Sequence, residues 1–253
     1  TQFTKTFTVT TTGSNDTPTI LSGGDISGTV IESDPANLVT VASVANLHVT
    51  GTLDFTDVDL IDTHIAISPT ATNSVAWAKF GGGNGGTIPP ATLTALASAL
   101  TASLASDSTH AQTGQLSWDF KLPDSLADFL AEGETLTVTY SVTVQDQATH
   151  PLSATQPITI TITGTNDKPV AVADTDIGHV VEAGNFPNDT AFAGTPTTTG
   201  NVLSNDTDLD INDTHFVAGV IAGASTAALT GGVATAALGG TSVLGTYGTP
   251  TIN

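Results

Sequence analysis

Two ten-residue stretches, FTDVDLIDTH at 55–64 and DTDLDINDTH at 206–215, place Asp57, Asp59 and Asp62, then Asp208, Asp210 and Asp213, in one frame ahead of a Thr-His pair. In an extended D-x-D unit both carboxylates project to one side of the backbone, while the middle residue turns the other way. Short-stemmed carboxylates in loops serve two chemistries. They cap turns by accepting backbone N–H groups, or they ligate a hard cation such as calcium, which takes six to eight oxygens at about 2.3–2.6 Å. The EF-hand loop is excluded, because Ile61 stands at its fifth position and Asp62 where its glycine is required. Imidazole is a poor match for a hard-oxygen site, so His64 and His215 are expected to be packed or hydrogen-bonded.

The remaining composition favours the same two chemistries. Against 24 acidic residues the 253-residue chain sets four lysines, Lys5, Lys79, Lys121 and Lys168, and no arginine. A surface so acidic lacks the clustered cations that nucleic acid or anionic lipid requires. Twenty of the acids are aspartate, the residue of turns and hard-cation loops. Cysteine is absent, which excludes disulfides and thiolate metal sites. No apolar run is long enough for a membrane helix, and the start TQFTKTF has no signal-peptide core. With no methionine at position 1, the chain reads as a piece of a longer one.

The motif residues belong to a larger repeat. Asn166 and Asp167 of TGTNDKP follow Asn15 and Asp16 of TGSNDTP by 151 residues, the offset that separates the two aspartate clusters, and Glu182 follows Glu32 by 150. In both copies the first motif aspartate comes 41 positions after the linker aspartate. The positioning elements are strands: TKTFTVTTTG and QPITITITG alternate threonine with apolar residues and run into a turn-forming Asn-Asp-x-Pro. Three segments follow: 1–16 as the closing strand and linker of a preceding repeat, 17–166 as one complete sandwich, and 167–253 as linker and truncated second repeat. Within the complete repeat, Leu93, Leu96, Leu100 and Leu104 lie on one helical face after Pro89 and Pro90, so a short helix is expected near residues 91–105. GGGNGG at 81–86 reads as its flexible approach, lacking both a phosphate-loop lysine and the aspartate of a calcium-binding nonapeptide coil. Trp77 and Trp118 are expected to anchor the core rather than form a sugar platform.

ITITGTNDKP, GNVLSNDTDLD, AEGETLTVTYSVTVQD and the terminal GTYGT resemble the VCBS and cadherin-like repeats of giant bacterial RTX-type surface adhesins. The resemblance spans nearly the whole chain. It implies an all-β fold of tandem Greek-key sandwiches of cadherin or immunoglobulin type, Ca2+ bound at the linkers, and export to the surface of a Gram-negative bacterium. By analogy with cadherin junctions, it assigns one shell to Glu32 and Asp146, Asn166 and Asp167 of the linker, and Asp208 and Asp210 of the next repeat. A second shell takes Asn15 and Asp16 with Asp57 and Asp59. Asp62 and Asp213 are further candidate ligands. Gln147 departs from the family's usual glycine after Asp146.

Three functional classes follow. A calcium-stiffened extender would hold a distal adhesive domain away from the cell, with neighbouring repeats as its partners. A direct binder would take a glycan or cell-surface ligand. An enzyme is disfavoured, because there is no nucleophile elbow, no H-E-x-x-H and no phosphate loop. Thirteen aromatic residues leave few for an exposed binding shelf, which favours the extender.

Overall fold

The computed structural model describes residues 3–33, 45–174, 180–195 and 197–217, with the pairs 219–220, 233–234, 241–242 and 251–252. The chain divides into two units: Thr1–Lys168 together with Leu209–Asn212, and Pro169–Asp208 together with Asp213–Asn253. The motif at 206–215 is therefore shared between them.

Among the described residues, eight strands build the first unit: β1 (Thr19–Ile20), β2 (Ser27–Ile31), β3 (Asn46–Thr56), β4 (His64–Ala78), β5 (Leu100–Ser106), β6 (Gly114–Pro123), β7 (Thr135–Asp146) and β8 (Ser153–Thr163). One sheet has the order β1-β3-β6-β5 and the other β2-β8-β7-β4. β2 pairs in parallel with β8, whereas β8–β7 and β7–β4 are antiparallel. This is the Greek-key order of an immunoglobulin-type sandwich, with the first strand divided between the sheets. The all-β expectation holds for this unit.

Alternation explains the layers. Every second residue of TLTVTYSVTVQD points inward, burying Leu136, Val138, Tyr140, Val142 and Val144, while the intervening residues face outward. QPITITITG forms β8 as its pattern predicts, and Ile158, Ile160 and Ile162 join the same core. The opposing sheet contributes Leu53, Phe55, Leu116, Trp118 and Phe120. Both tryptophans are core anchors: Trp77 donates Nε1–H to Glu134 Oε2 at 2.8 Å and Trp118 donates to the Asp25 carbonyl at 2.9 Å. Gly51 makes room for the second ring, because a Cβ there would stand 2.3 Å from Trp118. Gly51→Ala should cost about 1–3 kcal/mol by overpacking, read as a lowered thermal midpoint with unchanged far-ultraviolet dichroism.

Two expectations need correction. The helix, α1, spans only Pro90–Leu96, and Leu100–Ser106 is strand β5 instead. Leu93, Leu96, Leu100 and Leu104 fit a helical face, but Leu100, Ala102 and Leu104 also alternate with period two. The open edge of β6 decides, pairing Leu100 with Phe120 and Leu104 with Leu116. GGGNGG is a compact turn rather than a flexible approach: Gly81, Gly82, Gly83 and Gly86 take positive φ, and Gly85 N–H returns to the Trp77 carbonyl at 3.0 Å.

TKTFTVTTTG behaves differently from its counterpart. Residues 3–18 form no strand, and Phe3, Phe7 and Val9 are exposed. An alternating pattern makes a strand only where a sheet edge receives it. The second unit shows two-residue ladders, among them Gly184–Asn185 with Ala191–Phe192, and an isolated bridge of Val170 with Thr207. Much of 218–253 lies outside the described residues, as does the internal stretch 34–44.

Candidate metal centres at the two poles of the sandwich

Strand direction sorts the candidate ligands. β2 runs with β8 and β7 runs against it, so the C-terminal ends of β2 and β7 lie at opposite poles. Glu32 directly follows β2 and Asp146 ends β7. The eleven residue steps of β7 separate these poles by roughly 35 Å. Glu32 and Asp146 therefore cannot share one ion, which corrects the shell that placed them together.

At the pole where β7 ends, Asp146 is fully buried and receives three donors. Ala148 N–H and Leu152 N–H reach Oδ1 at 3.2 Å, and Asn15 Nδ2 reaches Oδ2 at 3.1 Å. Asn15 also donates to the His150 carbonyl at 2.9 Å, leaving its Oδ1 buried with no hydrogen-bond partner. Asp57 accepts Asp59 N–H at 2.9 Å, and Asp59 Oδ2 accepts Asp16 N–H at 2.7 Å. Asp62 is pushed above the usual carboxylate range, first by desolvation and then by repulsion from Asp59, Asp146 and Asp57. These influences place Asp57, Asp59, Asp62 and Asp146 in one neighbourhood with Asn15. Asp16 contributes its backbone N–H, while its side chain is exposed. Gln147, where the resemblance leads one to expect glycine, has no positive φ and donates its N–H to the Thr63 carbonyl at 2.9 Å.

His64 is buried behind this cluster. Its Nε2 lies 3.0 Å from Asp57 Oδ2 and its Nδ1 2.7 Å from Asp107 Oδ1. Burial opposes protonation of the ring, but the bonds to Asp57 and Asp107 outweigh it and raise the pKa above the ordinary histidine value. The expected hydrogen-bonded role is thus realised. Asp107, outside every recognised motif, was not legible as the partner.

At the opposite pole Glu32, Asp167 and Asp210 are buried. Glu32 Oε2 accepts Thr165 N–H at 3.1 Å, and Asp210 Oδ2 accepts Asp167 N–H at 2.7 Å. Glu32 Oε1 and Thr165 Oγ1 are buried with no hydrogen-bond partner. Burial foremost, with repulsion from Asp167, Asp128 and Asp124, pushes the Glu32 carboxyl up to about 9. Asp124 receives Ser33 N–H at 3.2 Å and Ser33 Oγ–H, and Asp128 is raised by burial and by Asp124. Neither was anticipated, because the 3-10 turn at Asp124–Leu126 carries no repeat signature. Asn166 is exposed and donates Nδ2 to the Asp167 carbonyl at 2.7 Å. Asp208 and Asp213 belong to the second unit, where Asp208 Oδ2 lies 3.2 Å from His215 Nε2.

Among the described residues no three His, Asp or Glu side chains stand preassembled around one point. Several of the acidic oxygens face backbone N–H groups instead. The chemistry of the donor set nevertheless fits a calcium ion, since the candidates are hard carboxylate and amide oxygens and Glu32 Oε1 and Asn15 Oδ1 are buried acceptors without donors.

Three contacts recur at the 151-residue offset. Asp16 N–H to Asp59 and Asp167 N–H to Asp210 are both 2.7 Å. Thr19 pairs with Thr56, and Val170 with Thr207. Asp57–His64 is 3.0 Å and Asp208–His215 is 3.2 Å.

No protein-family model matches the chain, and no curated protein sequence matches it. Solved structures similar to it include the CooA pilin subunit of enterotoxigenic Escherichia coli, at 12% identity and TM-score 0.31, covering 59% of this chain and 99% of that one. A PapD-like domain of human CEP192 matches at 12% identity and TM-score 0.31, covering 66% of this chain and 99% of that one. AggA, the major subunit of Escherichia coli aggregative adherence fimbriae type I, matches at 12% identity and TM-score 0.29, covering 61% and 100%.

Proposed function

We propose that this chain is a calcium-dependent extender segment of a bacterial surface adhesin, built of tandem sandwiches with cations bound at their poles. The observation that carries the reading is the pole at Glu32. A carboxylate 2% exposed, with one oxygen lacking any donor, lies near buried Asp167, whose N–H is held by buried Asp210. Burying several carboxylates together is unfavourable unless positive charge joins them. A bound calcium ion would supply that charge. Glu32, Asp167 and Asp210 would hold it at this pole, and Asn15, Asp57, Asp59, Asp62 and Asp146 at the other. Asp167 stands in the linker that leads to Pro169, so filling its shell would stiffen the chain there. The recurrence of three contacts at one offset supports the tandem reading, as does the resemblance to cadherin-like adhesin repeats.

Calcium titration of the full chain should release heat, and scattering should show a narrower spread of molecular dimensions with calcium than with chelator. A chain that takes up no calcium would overturn this function. Heat without any change in scattering would retain binding but remove the extender role.

A further inference from the structure

The cluster of Trp77, Gly85, Glu134 and Asn212 lies outside both carboxylate sets. Asn212 Nδ2 donates to Glu134 Oε1 at 2.9 Å and to the Gly85 carbonyl at 3.0 Å. These acceptors lie 78 and 127 residues away along the chain. The receptor is itself rigid. Glu134 is 3% exposed, and its other oxygen is held by Trp77 Nε1–H at 2.8 Å. Gly85 lies flat against the same indole, where a Cβ would stand 2.2 Å from the ring. Beside it, Ile211 N–H reaches the Phe129 carbonyl at 3.4 Å. Two side-chain attachments and one main-chain attachment thus seat Leu209–Asn212 within the first unit, and Asp210 is part of that seated segment.

We propose that Asn212 is a cation-independent latch: its amide keys Leu209–Asn212 into the Glu134–Gly85–Trp77 receptor and so presents Asp210 beside Asp167 and Glu32 before any calcium arrives. Asn212 is a positioning residue, since the atoms it contacts are Glu134 and Gly85 rather than an ion. A primary amide suits the receptor because it brings donors to two acceptors in one plane. The latch is particular to this copy of the motif. Ile61 occupies the same place 151 residues earlier and cannot donate a side-chain hydrogen bond. It also gives GGGNGG a role, because its Gly85 carbonyl is one of the two acceptors. The consequence for calcium rests on the proposed function; the seating of the segment does not.

Hydrogen exchange on the full chain in excess chelator tests the seating directly. Peptides covering 209–212 should be protected in the parent, and Asn212→Ala should speed their exchange at least tenfold while β7 and β8 exchange unchanged. Asn212→Asp, which sets a carboxylate against Glu134, should do the same. Calorimetry with Ca2+ then reads the consequence: Asn212→Ala should weaken the site that Asp210→Ala abolishes by at least tenfold and leave the other site alone. Fast exchange of 209–212 in the parent, or unaltered exchange in both variants, overturns the latch whether or not calcium binds. Faster exchange with unaltered calcium affinity overturns its role in presenting Asp210. A parent that takes up no calcium overturns the proposed function and leaves the exchange result to decide the latch alone.

Discussion

In chelator, the folded chain should lose stability as the pH rises from about 4.5 towards 9, and calcium should cancel that loss. Glu32 sets the window, since burial and its acidic neighbours lift its carboxyl from 4.5 to about 9 in the folded state. A folded carboxyl that holds its proton more tightly than the unfolded one contributes stability that is fully present below the unfolded pKa. That contribution fades as the pH climbs through the folded value. The trend opposes the familiar acid denaturation of paired carboxylates. Its size should be on the order of a few kcal/mol. Calcium ligation requires the ionised form, so binding releases the proton and gains affinity with pH over the same window. Urea denaturation at pH 5, 7 and 9, with chelator and with calcium, separates the two regimes. Glu32→Gln should flatten the chelator series while leaving the β7 end of the sandwich intact. Parallel stability curves with and without calcium would remove the cation from this pole.

Asp146→Ala should produce the largest loss in unit stability and erase one class of calcium site without touching the other. The carboxylate is fully buried and accepts hydrogen bonds from Ala148, Leu152 and Asn15. Deleting it strands buried donors at about 1–3 kcal/mol each, so a total near 2–5 kcal/mol is expected. The calorimetric class belonging to Asn15, Asp57, Asp59 and Asp62 should vanish. The class belonging to Glu32, Asp167 and Asp210 should keep its affinity, and Glu32→Ala should show the converse. Because the two residues stand at opposite ends of the sandwich, their effects should add in the double variant to within about 0.5 kcal/mol. If Asp146→Ala and Glu32→Ala remove the same class, the division of ligands by strand direction is wrong.

Much was legible from the amino-acid sequence because it depends on local period. Alternating threonine and isoleucine marked β8, since a two-residue period places one set of side chains on one face. The D-x-D pairs, their partner histidines and the linker Asn-Asp stood out through repetition alone. The aspartates and histidines then proved to make the same contacts in both copies, as Asp16 with Asp59 and Asp167 with Asp210, whereas Asn15 and Asn166 take different partners.

What only the tertiary structure decided was where distant segments meet. The leucines between 93 and 104 satisfy a helical and a strand period together, and the open edge of β6 chose strand for the second half. Glu32 and Asp146 each close a strand, which reads identically in one dimension. The antiparallel sense of β7 against β8 and β2 sends them to opposite poles. Asp107 behind His64, Asp124 and Asp128 near Glu32, and Glu134 beneath Asn212 belong to no repeat, so nothing local distinguished them from ordinary surface acids. Their roles come from burial beside particular partners, and burial is a property of the packed chain rather than of any short stretch of it.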